Sequence, residues 1–78
     1  MRQNLAATRE SRNIALRQIA DETKIGVAKL QAIESGDYRQ LPGGIYNISY
    51  IRQYARIVGL DEDALVADYR KTADALGL

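Results

Sequence analysis

Tyr46, Tyr50 and Tyr54 recur every fourth residue, a spacing that lines side chains up in one row along an α-helix. The chemistry such a row offers is recognition. A tyrosine ring supplies apolar area while its hydroxyl stays hydrated, and aromatic side chains are enriched among the residues that dominate protein interfaces. Advancing about 100° per residue from Ile48, the aliphatic face centres between Ile51 and Ala55, while Tyr54, Tyr50, Ile57 and Tyr46 turn progressively away from it. One core takes an apolar stripe roughly 100° wide, and these residues broaden it well beyond that. Tyr54 is therefore expected to be core or core-edge, and Tyr50 and Tyr46 a partner surface.

The remaining reactive groups do not assemble into a catalyst. The chain has no His and no Cys, which removes the commonest general base, the strongest thiol nucleophile and the usual zinc ligands. Asp61, Glu62 and Asp63 are consecutive, so on a helix they diverge, and they suit an N-terminus, where a cap and negative charge are favoured. Gly43-Gly44 lacks the rest of a phosphate loop and marks a turn. Arg52 and Arg56 form an i, i+4 row, usually a solvated or carboxylate-paired helix face. These features exclude metal, cofactor and small-molecule substrate, and the expectation is a binding module and not an enzyme.

Five helices are needed to position these groups. Leu5 and Thr8 share a face within residues 2–12, and Asn13 follows as a residue that tolerates a left-handed backbone. Leu16, Ile19 and Ala20 carry a second helix to Glu22, and Val27, Leu30 and Ile33 a third to Ser35, where Gly36 stops it. The two are joined by Thr23–Gly26, so residues 16–35 read as a helix-turn-helix unit. Pro42 and the glycine pair turn the chain into a fourth helix, 45–58, ended by Gly59. Asp61 opens a fifth, 61–76, with Leu65, Tyr69, Thr72 and Leu76 facing inward. No strand pattern or repeat interrupts this, so residues 1–78 read as one all-α domain. A chain of 78 residues buries only about 60% of its unfolded surface and builds one core at most. No apolar run approaches the roughly 20 residues of a membrane span, and no secretory h-region is present. A soluble, intracellular chain is the expectation.

The string LRQIADETKIGVAKLQAIESGDY, followed by LPGGIYNISYIRQYARIVGLDEDAL, resembles the N-terminal cytoplasmic domain of the RodZ family of bacterial cell-shape proteins. The likeness covers about residues 5 to 69 and rests on TKI, AIESGDY, LPGG, the YxxxYIRxYA run and GLD. It implies a five-helix λ-repressor-like domain of XRE type, diverted to docking on the actin-like filament protein MreB. It also implies a contact surface at Tyr50 and Tyr54, helped by a basic residue of helix 3, for which Lys29 is the candidate. In that family the domain precedes a basic segment, a transmembrane helix and a periplasmic part. None of these is present in residues 1–78, which fits an excised domain or a short relative, cytoplasmic or at the cytoplasmic face of the inner membrane. Any membrane link would run through a segment absent from this chain.

DNA binding is the alternative function for such a fold. Sequence-reading domains place Gln, Asn, Arg or Lys at the start of the second unit helix, whereas this chain has Gly26, Val27 and Ala28. Ala32 takes another position commonly available for base contact, and Leu16 stands where repressors often carry a phosphate-binding Gln. Lys29 and Gln31 remain as polar candidates, with Arg17 and Lys24, and also Arg9 and Arg12, as phosphate contacts. Net charge is only +1. Residues 1–56 carry a balance of +4 and residues 57–78 a balance of −3, so a basic body meets an acidic tail. Weak, salt-sensitive DNA binding is the most this pattern predicts.

Overall fold

Asn4 opens the first helix, its side chain accepting the Ala7 amide at 3.0 Å, as an N-cap should. In a computed structural model that describes residues 4–78, five helices follow in order: α1 (Leu5–Ser11), α2 (Leu16–Thr23), α3 (Val27–Ser35), α4 (Ile45–Val58) and α5 (Glu62–Leu76). The expected first residues of helix 1 lie outside the described residues. Among the described residues there is no strand, and the fold is the all-α helix-turn-helix read from the pattern.

The boundaries follow local chemistry. Asn13 (φ 59°) and Lys24 (φ 64°) are left-handed, the first ending α1 and the second making the turn between α2 and α3. In that turn the Thr23 hydroxyl donates to the Ile19 carbonyl at 2.7 Å and accepts the Ile25 amide at 3.1 Å. Asp61 caps α5 by accepting the amides of Asp63 and Ala64. A 3-10 turn, Tyr38–Gln40, lies in the connection between α3 and α4, just before Pro42 and the glycine pair. It buries Tyr38 edge-on against Tyr69, with ring centroids 4.9 Å apart.

Ile19, Leu30, Ile33, Ile51, Tyr54 and Val58 are the largest fully buried side chains, drawn from α2, α3 and α4, with Leu65, Val66, Tyr69 and Ala73 closing the core from α5. Two expectations need correction. Leu76 is 40% exposed instead of facing the core: Tyr69 already bonds to Asn47, near the start of α4, so only the last turn of α5, after the buried Ala73, runs past its partner. Ala32 is buried and offers nothing to a ligand.

Candidate protein-binding surface

Ile51, Tyr54, Ala55 and Val58 seat α4 in the core, and what remains outward divides into two flanks. On one, Tyr46 and Tyr50 pack ring to ring, with centroids 6.4 Å apart and planes tilted by 45°. Tyr46 is 60% exposed and the adjoining Ile45 80%, while Tyr50 is half-buried against the core. Ile45 was not singled out from sequence: the angular count sets it about 100° from Tyr46, nearer the arginine row, and its exposure comes from its place as the first residue of α4.

The other flank is fixed to α5. Arg56 Nε donates to Glu62 at 2.6 Å, and Arg52 donates to Glu62 at 3.0 Å and to Asp63 at 2.8 Å. The hydrogen bond from Arg56, reinforced by Arg52, holds the Glu62 carboxyl down at about 2. These arginines are carboxylate-paired, as their spacing suggested, and the tyrosine flank is left as the apolar outward surface of the helix.

Tyr54 is removed from the contact surface. It has no exposed area, its ring fills the core, and its hydroxyl donates to Glu34 at 2.7 Å. Burial, followed by hydrogen bonding to that carboxylate, pushes the phenol pKa well above the ordinary range. Glu34 in turn accepts from Arg9 Nε at 2.6 Å. Sequence reasoning missed Glu34, because an acidic residue on a short helix gives no sign that it points inward. Lys29, on α3, is half-buried and makes no hydrogen bond or ion pair to the tyrosines among the described residues.

The alternative DNA face is altered as well. Arg9 is held by Glu34 and by the Ile14 carbonyl, and Arg12 donates to the carbonyls of Val58 and Gly59 at the end of α4. Arg9 is thus committed to an internal ion pair, and one guanidinium nitrogen of Arg12 is committed to the end of α4. Arg17, Lys24 and Gln31 are exposed and in no ion pair among the described residues, while Ala28 occupies the exposed start of α3.

A family model described as a helix-turn-helix domain matches residues 4–65. The chain belongs to this helix-turn-helix family. The family's fold is a non-enzymatic one, and the match spans α1 to the first turn of α5, so it includes the tyrosine flank. Among curated relatives, the chain is similar to the uncharacterized membrane protein YmfM of Bacillus subtilis, at 40% identity over 58 residues, 74% of this chain and 20% of that protein. It is also similar to the cytoskeleton protein RodZ of Streptococcus pneumoniae, at 31% identity over 65 residues, 83% of this chain and 24% of that protein. These support a RodZ-like helix-turn-helix, as the motifs implied. The chain spans about a fifth to a quarter of the length of these relatives. No solved structure matches. Among the described residues, no helix is long and apolar enough to cross a membrane.

Proposed function

We propose that this helix-turn-helix domain is an adaptor that docks on an actin-like filament protein of the MreB kind, in the bacterial cytoplasm, through the outward flank of α4. The observation that carries the reading is the ring pair of Tyr46 and Tyr50 on the outward flank of α4, Tyr46 exposed and Tyr50 half-buried. Large apolar side chains clustered on one surface favour a protein partner over solvent. The cytoskeletal name of one relative supports the kind of partner. Lys29 is assigned an auxiliary electrostatic contact.

The test is co-sedimentation with assembled MreB filaments, paired with thermal melts. Tyr50→Ala should weaken binding by about thirtyfold, corresponding to a loss of roughly 2 kcal/mol at a hot spot, with the fold retained. Ile51→Ala is the control, since its cavity should lower the melting temperature and reduce binding only through unfolding. Parental binding by Tyr50→Ala together with a large drop in its melting temperature would refute the assignment.

A second reading, a small DNA-binding regulator, is favoured by one observation: Arg17, Lys24 and Gln31 stand exposed on the helix-turn-helix unit. It predicts that Lys29→Ala or Gln31→Ala abolishes preference for a selected operator. The adaptor reading predicts weak, sequence-independent binding that fades with salt.

A further inference from the structure

Tyr54 sits one helical turn from Tyr50 and two from Tyr46, in the same row, and only its end of the row is anchored. The ring is fully buried, and its hydroxyl donates to Glu34 at 2.7 Å. Arg9 grips that carboxylate from α1, with Nε at 2.6 Å from one oxygen and its second contact at 3.4 Å from the other. Arg9 also donates to the Ile14 carbonyl at 2.8 Å. Side-chain exposure is only 12% for Arg9 and 9% for Glu34. One carboxylate therefore joins α1, α3 and α4.

The aliphatic contacts of α4 fix how deep the helix lies but give little direction about its axis, because apolar packing tolerates small rotations that keep volume constant. A charge-assisted hydrogen bond is directional, and in a water-poor site it discriminates between orientations. A phenylalanine would fill the Tyr54 site equally well, so the hydroxyl is not there to fill space.

We propose that Glu34, held by Arg9, is a positioning residue: through the Tyr54 hydroxyl it sets the rotation of α4 and so the direction in which Tyr50 and Tyr46 face their partner. The partner readout of this inference rests on the filament reading above; the orientation readout does not.

The experiment compares Tyr54→Phe, Glu34→Ala and Glu34→Gln with the parent chain, below the melting transition of each. Two quantities are measured: amide residual dipolar couplings of α4 relative to α3, and affinity for assembled MreB filaments. Tyr54→Phe and Glu34→Ala should shift the α4 couplings and weaken binding by about tenfold, the factor that accompanies roughly 1.4 kcal/mol. Glu34→Gln keeps an oxygen that accepts the hydroxyl, so it should stay near parental affinity even if it melts lower. Should Glu34→Ala fail to fold, Tyr54→Phe decides alone, because it conserves the ring. A folded Tyr54→Phe with parental couplings and parental affinity overturns the proposal. If Tyr50→Ala also binds like the parent, the filament reading is what has failed, and the couplings alone then judge the positioning role.

Discussion

Removing the Asn47 side chain should cost this domain a large share of its stability. Asn47 is 3% exposed and is the buried polar residue of the core among the described residues. Its carbonyl oxygen accepts the Gly43 amide at 2.8 Å, and its amide nitrogen donates to the Tyr69 hydroxyl at 3.1 Å. It thus ties the LPGG turn to the start of α4 and α4 to α5. Asn47→Ala deletes both bonds, each worth about 1 kcal/mol net, and strands two partners that would cost more if water could not reach them. Both Gly43 and Tyr69 line a small surface cleft with Tyr38, Leu41 and Leu78, so water can partly replace the amide. The expected loss is about 2–3 kcal/mol, set against a total of roughly 4–12 kcal/mol for a chain of this length. At about 4–8 °C per kcal/mol, the melting temperature should fall by roughly 10–20 °C. Tyr69→Phe removes only the second bond and should cost about 1 kcal/mol. Thermal and urea unfolding of both single variants and the double variant complete a cycle, with an expected coupling of about 1 kcal/mol. An Asn47→Ala variant within about 0.5 kcal/mol of the parent, or strictly additive changes, would refute the reasoning.

Two further outcomes are expected. Glu62 is held at about 2 in the folded state against an ordinary 4.5, so the stability it contributes is complete above pH 4.5 and is lost as pH falls through 2. Urea midpoints measured across that window should fall less steeply for Glu62→Gln than for the parent, and equal slopes would remove the ion pairs from the acid response. Lys24 carries a left-handed backbone at φ 64°, a conformation that costs a side chain roughly 1 kcal/mol. Lys24→Gly should therefore raise the melting temperature by a few degrees, part of the gain being offset by the greater freedom of glycine in the unfolded chain, and Lys24→Val should lower it; the reverse order would show that the turn is not strained.

Most of the helices were legible because they announce an end. Asn13, Gly36 and Gly59 mark left-handed stops at the ends of α1, α3 and α4, Asp61 marks a capped start, and the apolar spacing between them fits a period of 3.6 residues. What the pattern did not reveal was structure made by polar groups acting over long sequence separations. Glu34 lies 25 residues from Arg9 and 20 from Tyr54, and Asn47 lies 22 from Tyr69. Composition and periodicity treat a Glu or Asn as a surface residue by default, and only the packing of distant helices turns it inward.

That asymmetry bears directly on the candidate site. Angular reasoning along one helix was enough to turn Tyr46 and Tyr50 outward and to place Tyr54 toward the core, because those directions depend on α4 alone. Whether Arg9 and Arg12 were available to a ligand depended on α3 and on the end of α4, which no single-helix argument reaches. Both arginines instead spend their hydrogen bonds inside the molecule, one on Glu34 and one on the carbonyls of Val58 and Gly59. The basic excess of the N-terminal part therefore overstates the charge offered to a nucleic acid. Meanwhile the acidic start of α5 is paired with Arg52 and Arg56, so part of the lopsided charge of the sequence is spent inside the fold. The surface left on α4 is defined less by charge than by the exposed ring of Tyr46 packed on the half-buried ring of Tyr50.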